Sequence, residues 1–341
     1  MEARTIGLKG AGKRTLQAAL SEGRADGAIT TVKVGDARVR RLSAIFRPKK
    51  TTFAEFKVRM AHWPAATGRR SEMERYLISL TGAQVFLHVL RACANPLLGE
   101  APNPTRDLAV LDQEFLVGDL ITVERAFDRS KKTKLSEVGR RALNRAKEAL
   151  ESETPLRLVD FPQDELAFIA PYNLLTQTPQ VLLLNLESGA TAEEAATITE
   201  SLSDGAAGRT IVAFPFFDAA EVATLSPEEQ EEFAAALDLP GPAADLVTKA
   251  CFKQMGLITF LTVGEDEVRA WTLHRGLSAK RTAGTIHSDI ERGFIRAEVV
   301  AYHTFLQHGS LKACRDAGAL RLEGKDYVVQ DGDIIEFRFN V

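Results

Sequence analysis

The sequence has few cysteines, few aromatic residues and no long apolar runs. Its three cysteines, Cys93, Cys251 and Cys314, are too scattered for a disulfide framework or a cysteine-based metal site. Such sparse cysteine usage is typical of a reducing compartment, and we expect a cytoplasmic protein. The longest apolar runs, such as residues 181–184, are far too short to cross a bilayer, so neither export nor a membrane partner is expected.

The sequence also lacks a strong net charge. The formal net charge is −3 with 26% charged residues, so any contact with nucleic acid would have to come from a local basic patch. With 341 residues, of which 45% are hydrophobic, the chain can bury more than one core. These numbers predict a soluble globular protein of two or three domains, and they leave its oligomeric state open.

The stretch GLKGAGKRTL, residues 7–16, has the spacing of a Walker-type phosphate loop, G-x-x-x-x-G-K-[ST]. Residues 3–6 can form a short strand before it, and residues 15–20 can open a helix after it, which is the context that such a loop requires. Backbone amides at a helix N-terminus bind phosphate well. The predicted phosphate-binding residues are Gly7, Gly10, Ala11, Gly12, Lys13, Arg14 and Thr15.

The motif departs from its pattern at Arg14, where a serine or threonine hydroxyl would bind Mg²⁺. Thr15 stands one position late and would point roughly 100° away around the helix. The sequence therefore predicts that Mg²⁺ coordination is compromised, and we assign no metal ligand. The guanidinium of Arg14 could instead supply fixed positive charge beside the phosphates, since it can bind two oxygen atoms at once.

The remaining patterns predict an α/β fold. Residues 84–90 and 180–186 are near-continuous apolar runs typical of central parallel strands, and residues 105–149 have the spacing of a charged helical hairpin. Helices are also predicted at residues 37–46 and, behind a Ser226–Glu229 capping box, within residues 225–241. From residue 257 onward short strands and turns predict a separate α+β domain, with a β-hairpin turn at Asp331–Gly332.

This last segment contains stretches of sequence that are specific to one protein family. Residues 267–273 (EVRAWTL), 283–302 and 322–341 resemble the TGS domain of the YchF, or Obg-like ATPase, family. Weaker matches extend to residues 34–50, 86–93 and 174–188. The chain thus resembles a divergent, shortened member of that family.

The resemblance implies a P-loop NTPase-like, mostly parallel sheet with a helical insertion, followed by a β-grasp TGS domain. The expected boundaries are residues 1–104 and 172–256 for the P-loop domain, 105–171 for the insertion and 257–341 for the TGS domain. It also implies binding and hydrolysis of ATP or GTP, with a partner in the ribosome, RNA or another protein. The residues matching the base-recognition segment are Asn185, Leu186 and Glu187, with Ser188 where the family has an acid.

Other elements of the family are missing. Residues 56–68 contain no aspartate for a second metal contact, residues 69–77 replace the glycine-rich switch, and residues 94–104 contain no histidine for catalysis. His88 matches a strand histidine, which we interpret as a core side chain. We therefore assign no catalytic residue, and we expect a degenerate nucleotide-binding protein with weak or lost hydrolysis.

Two alternatives remain open. The protein could be an active ATPase or GTPase that takes metal ligands from Thr15, Asp26 or Asp36, or it could be an interaction scaffold that binds no nucleotide. A local basic cluster could contact ribosomal RNA or simply form a solvated helix face; it comprises Arg38, Arg40, Arg41, Arg47, Lys49 and Lys50. His287, Asp289 and His303 lack an established metal-ligand spacing and are expected to be structural.

Overall fold

The computed structural model describes residues 1–21, 29–64, 70–130, 135–203 and 205–340. Within these ranges the strands are β1 (Glu2–Ile6), β2 (Ile29–Lys33), β3 (Lys50–Thr52), β4 (Glu55–Met60), β5 (Val85–Ala92), β6 (Gln180–Leu186), β7 (Thr210–Phe214), β8 (Leu257–Thr262), β9 (Glu267–His274), β10 (Phe294–Ala301), β11 (Arg321–Glu323) and β12 (Asp333–Phe339).

The α-helices of the first two thirds of the chain are α1 (Lys13–Leu20), α2 (Ala37–Phe46), α3 (Arg70–Leu80), α4 (Pro104–Ser130), α5 (Glu137–Glu151), α6 (Gln163–Ile169), α7 (Ala192–Ser201), α8 (Phe216–Val222) and α9 (Pro227–Ala236). They are followed by α10 (Ala243–Met255), α11 (Ala279–Ile286), α12 (Ser288–Arg292), α13 (Tyr302–His308) and α14 (Leu311–Asp316). Short 3₁₀ helices occupy Leu156–Leu158, Ala170–Tyr172 and Leu175–Gln177. No helix among the described residues is both long and apolar enough to cross a membrane.

The chain divides into two compact units, of which the first comprises residues 1–32 and 56–254. Its six-stranded sheet has the order β2-β4-β1-β5-β6-β7, and the pairs from β4 to β7 are parallel. The two central strands β5 and β6 are buried almost throughout, as their apolar runs predict. In this sheet the carboxyl ends of β1, β5 and β6 meet at one edge, where ligands bind in open α/β folds.

The predicted helical hairpin between β5 and β6 is formed by α4 and α5. Its core contains Val123, Ala126, Leu143 and Leu150, which recur at helical spacing along the two helices. Nearer its beginning, α4 packs on the sheet through Phe115, whose ring lies 5.4 Å from that of Phe86 on β5. The predicted capping box is also present at α9, where Ser226 and Glu229 bind each other's backbone amides.

The second unit comprises residues 33–55 and 255–341. Its mixed six-stranded sheet has the order β11-β10-β12-β8-β9-β3. β8 pairs antiparallel with β9 and parallel with β12, and β12 pairs antiparallel with β10. Buried side chains form two clusters in this unit, one around Leu261 and Phe305 and one around Phe260 and Ala283.

Two expectations about this unit are wrong. Residues 33–55 were expected in the P-loop domain, but Val39 and Leu42 of α2 pack in the cluster with Leu261, and β3 pairs with β9. The Asp331–Gly332 turn does not fold β12 back onto a preceding strand, because the described residues before it make only an isolated bridge. The turn is bound to β8 instead: the carboxylate of Asp331 accepts the amide of Thr259, and the amide of Gly332 donates to the Thr259 carbonyl.

Candidate phosphate-loop site

The predicted phosphate loop connects β1 to the first residue of α1, Lys13. Gly7, Gly10 and Gly12 have φ angles of 140°, 77° and 102°, a region that side chains other than glycine rarely adopt. A Cβ atom on Gly7 would lie 2.5 Å from the Val89 carbonyl oxygen, so glycine is also required sterically there. The backbone therefore has the turns that a phosphate loop needs, at the amino end of a helix.

Lys13 is turned back into the loop. Its ammonium Nζ donates to the carbonyl oxygens of Gly7 and Leu8, each at 2.7 Å. Burial lowers the pKa of Lys13 to about 8, and among the described residues no carboxylate pairs with it. A desolvated ammonium group that, among the described residues, donates to carbonyl oxygens and pairs with no carboxylate is electrostatically suited to an incoming anion.

At the metal-binding position of the motif the structure places an arginine side chain. Arg14 is exposed and, in the described part of the chain, is paired with no carboxylate, while Thr15 is half-buried on the next position of α1. Asp36 caps α2 in the second unit and forms a salt bridge of 2.8 Å with Arg38, so its carboxylate is already used. Asp26, the remaining alternative ligand, lies outside the described residues, as does residue 69, the first of the segment that replaces the switch.

Asn185 joins the end of β6 to the phosphate loop. Its side-chain amide donates to the Ala11 carbonyl at 3.2 Å, and its oxygen accepts the amide of Phe216, the first residue of α8, at 3.3 Å. A Cβ on Gly12 would lie 2.3 Å from Asn185 Nδ2, so the two residues are in close contact. The amide predicted to recognise a base thus holds the loop and α8 together in this structure.

The two other residues predicted at the base lie in different surroundings. Leu186 is buried in the core with Leu90 and Leu108. Glu187 is exposed, and its carboxylate accepts the amide of Ala94 at 2.7 Å. Of the three predicted residues, only Glu187 therefore presents its side chain to solvent.

The loop after β5 lies against the phosphate loop, which the sequence did not reveal. Asn95 donates to the Gly10 carbonyl at 3.3 Å, and a Cβ on Gly10 would come within 2.6 Å of Leu98. Arg91, buried in β5, anchors this loop by donating to the carbonyl oxygens of Glu100 and Ala101 at 3.0 and 3.1 Å. The one signal in the sequence was a charged arginine near the end of a strand that is apolar apart from His88.

A second feature that the sequence did not reveal is Asp218 on α8. Its carboxylate accepts the hydroxyl of Ser188 at 2.7 Å and is buried. Since Ser188 stands where the family has an acid, the structure brings another carboxylate to the same strand end. No spacing rule connects the two residues, because they lie 30 positions apart.

Other candidates lie in the core or take part in helix caps and salt bridges. His88 is fully buried in β5, in agreement with its interpretation as a core side chain. His287 caps α12 by accepting the amide of Asp289, and no group of three metal-ligand residues occurs among the described residues. In the basic cluster Arg38, Lys49 and Lys50 form salt bridges with Asp331, Asp266 and Glu267.

Comparison with known proteins shows the family of the chain. The family YchF-GTPase_C, described as a protein of unknown function (DUF933), matches residues 257–340. The ribosome-binding ATPase YchF of Bacillus subtilis is 34% identical over 98% of both chains. The chain belongs to the YchF family. The YchF protein of Escherichia coli O157:H7 is 32% identical over 98% of both chains, and the Obg-like ATPase 1 of rice is 30% identical over 91% of this chain and 82% of its own.

Solved structures support the fold. The YchF GTPase of Schizosaccharomyces pombe covers 99% of this chain and 97% of its own with a TM-score of 0.84 at 22% identity. A GTP-binding protein from Pyrococcus horikoshii covers 100% of both chains with a TM-score of 0.64 at 14% identity. The resemblance to YchF and the predicted α/β fold with a separate C-terminal domain are thus confirmed.

Proposed function

We propose that this YchF protein binds a purine nucleoside triphosphate at the loop from Gly7 to Thr15 and hydrolyses it slowly or not at all. The observation that carries the proposal is Lys13, whose desolvated ammonium lies within the loop without a carboxylate partner among the described residues. A phosphate group would supply the missing negative charge, and the backbone amides at the start of α1 would bind its oxygens. The base would lie at the end of β6, beside Glu187.

Weak hydrolysis follows from the residue at position 14. Phosphoryl transfer depends on charge neutralisation by Mg²⁺, a contribution of several kcal/mol to the stability of the transition state. The exposed guanidinium of Arg14 can neutralise charge in the bound nucleotide, but it cannot provide the octahedral oxygen coordination of that ion. The protein would therefore bind the nucleotide without hydrolysing it efficiently.

Interaction with the ribosome or RNA is the second part of the proposal. Curated relatives at 32–34% identity are named ribosome-binding ATPases. In this chain α2 presents Arg40 and Arg41, and Arg47 follows it; all three are exposed and, within the described ranges, unpaired with carboxylates. Unpaired arginines close together on one element can contact successive phosphates of RNA.

The decisive experiment is a titration of fluorescent ATP and GTP analogues with and without a chelator. Saturable binding in chelator that Lys13→Ala weakens at least tenfold is expected, whereas Arg40→Ala, which removes an exposed charge from α2, should leave it unchanged. Arg14→Ser should make the affinity depend more strongly on Mg²⁺. If the wild type shows no saturable nucleotide binding, the proposal is overturned and the protein is better described as a scaffold that binds no nucleotide.

Phosphate release tests the hydrolysis claim separately. We expect the wild type to release phosphate no faster with Mg²⁺ than in chelator. Rapid Mg²⁺-dependent release that Lys13→Ala abolishes would show an active ATPase or GTPase with other metal ligands, and it would refute weak hydrolysis while leaving nucleotide binding intact.

A further inference from the structure

A groove lies between α3 and α4 in the first unit. Its volume of about 610 Å³ is within the range of about 300–1,000 Å³ that small-molecule sites occupy. Its apolar lining includes Trp63, Met73, Leu77, Val110, Val117 and Ile121. None of these six side chains is fully buried, and Val117 is 55% exposed. The groove is therefore an apolar surface that the described side chains leave open.

One end of the groove has charges of both signs. α3 and α4 meet where Leu77 lies against Gly118, since a Cβ on that glycine would be 2.8 Å from Leu77 Cδ1. Nearer the start of α3 and the end of α4, the Glu74 carboxylate accepts a hydrogen bond from Arg125 at 3.4 Å. The two helices therefore run antiparallel. Arg70, one turn before Glu74, also lines this end of the groove.

The opposite end of the groove has a carboxylate, that of Glu114. Glu114 lies on one face of α4 with Val110, Val117 and Ile121, since their spacing is that of a helical stripe. It is half-buried, and its carboxylate has no hydrogen-bond or ion-pair partner among the described residues. Arg125 is about three turns away along α4, roughly 16 Å at 1.5 Å per residue. A carboxylate thus lies unpaired within an apolar stripe.

A second carboxylate of the lining, that of Asp119, is already hydrogen-bonded. It accepts the amides of Leu175 and Thr176 and the hydroxyl of Thr176, and the residue is 3% exposed. Burial raises the pKa of Asp119 to about 6, against the effect of these hydrogen bonds, so the carboxylate is still mostly ionised above pH 7. Asp119 therefore adds negative charge to the groove but does not need a ligand as its partner.

These carboxylates determine the charge of a suitable ligand. An uncharged apolar molecule would cover Glu114 and leave a buried carboxylate without a counter-charge, which is costly. An anion would be repelled by both Glu114 and Asp119. A molecule with an ammonium group can instead pair with Glu114 while its apolar body covers the neighbouring side chains.

We propose that the groove between α3 and α4 binds a small organic cation whose ammonium group pairs with Glu114 and whose apolar body packs on Val117 and Ile121. Met73 and Leu77 of α3 form the opposite wall of this site. The site does not depend on nucleotide binding, because none of the residues that line the groove belongs to the phosphate loop.

Three compounds with the same phenylbutyl body test the charge requirement: 4-phenylbutylamine, 4-phenylbutanol and 4-phenylbutyrate. The sequence has two tryptophans, so in a Trp271→Phe background the fluorescence of Trp63 reports binding in the groove. The amine should bind saturably and about tenfold more tightly than the alcohol, because it adds a charge-assisted hydrogen bond. The carboxylate compound should not bind. An amine that fails to bind, or that binds no better than the alcohol, refutes the proposal.

Variants of α4 test the role of Glu114. Glu114→Gln keeps the size of the side chain and should bind the amine and the alcohol equally; a preference for the amine that survives in this variant contradicts the assignment. Its thermal unfolding midpoint should equal that of the wild type, and a lowered midpoint would show that Glu114 has a partner within the protein. Val117→Lys places an ammonium group one turn from Glu114 and should weaken amine binding about tenfold. Glu200→Gln, which removes an exposed carboxylate from α7, should keep the wild-type preference.

Crystals soaked in 4-phenylbutylamine locate the site directly. The amine nitrogen should lie within hydrogen-bond distance of the Glu114 carboxylate, with the phenyl ring against Val117 or Ile121. Density for the compound only at other places on the protein would overturn the proposal. Neither this result nor the fluorescence titrations bear on nucleotide binding, which is measured by its own titration.

Discussion

The lowered pKa of Lys13 predicts that nucleotide affinity falls as the pH rises through about 8. In the free protein the ammonium is desolvated among the carbonyls of Gly7 and Leu8, which lowers its pKa from 10.5 to about 8. A bound phosphate returns the pKa to its ordinary value or above, because an opposite charge stabilises the ammonium. Binding above pH 8 must therefore take up a proton, whereas binding below pH 8 does not.

The size of the effect follows from that difference. Each pH unit above the pKa of the free site reduces its protonated fraction about tenfold. Between pH 7 and pH 9.5 the affinity should fall about thirtyfold, or roughly 2 kcal/mol, provided that Lys13 stays protonated when phosphate is bound. The phosphates themselves are ionised over this range, so they contribute little to the slope.

The assay is a fluorescent-nucleotide titration in chelator from pH 7 to pH 9.5, with calorimetry in two buffers of different ionisation enthalpy to count the protons taken up. Lys13→Arg is the matched control, because a guanidinium stays charged throughout and should make the affinity nearly independent of pH. A wild-type affinity that does not change between pH 7 and pH 9.5 would show that Lys13 is not the group that binds the phosphate.

Three substitutions test the contacts around the site and the insertion, each by urea unfolding of the variant. Asn185→Ala should lower the free energy of unfolding by about 2 kcal/mol, because the Ala11 carbonyl loses its hydrogen-bond donor. An unchanged free energy of unfolding would show that this hydrogen bond does not stabilise the loop. Asp119→Ala should cost about 3 kcal/mol, because its buried carboxylate accepts two backbone amides and one hydroxyl; a loss below ~1 kcal/mol would contradict this. Gly7→Ala should cost about 2 kcal/mol or more through its φ of 140° and its clash with Val89, and an unchanged midpoint would show that the loop adapts freely.

The sequence predicted those elements whose information is local. Apolar runs identified β5 and β6, helical spacing identified α2 and the α4–α5 hairpin, and the Ser226–Glu229 pair identified the start of α9. In each case residues a few positions apart carry the whole signal, through burial on one face or through a cap. The phosphate loop belongs to the same class, since its glycines and its lysine lie within seven consecutive positions.

The features that the sequence did not predict are contacts between distant residues. The assignment of α2 to the second unit depends on Val39 and Leu42 meeting Leu261, more than 200 positions away, which no local pattern encodes. The turn at Asp331 looked like a hairpin because a turn signal stood between apolar residues, but its carboxylate binds the amide of Thr259. Tertiary hydrogen bonds thus determine where this turn lies, which turn propensity alone does not predict.

Phosphate binding and metal binding depend on different parts of the same loop, and this separates them physically. A phosphate loop binds phosphate through backbone amides, which its glycine φ angles turn toward the ligand. This arrangement tolerates any side chain that does not disturb the turn. The exposed arginine at position 14 therefore leaves it intact. The metal site depends on one hydroxyl oxygen at that position, and no guanidinium can replace an oxygen ligand. A single substitution can therefore remove the catalytic ion while retaining, or even strengthening, the attraction for a triphosphate. Restoring the hydroxyl with Arg14→Ser should on this reasoning return Mg²⁺ dependence before it returns turnover, because the second metal contact and the catalytic histidine expected from the family are also missing from this sequence.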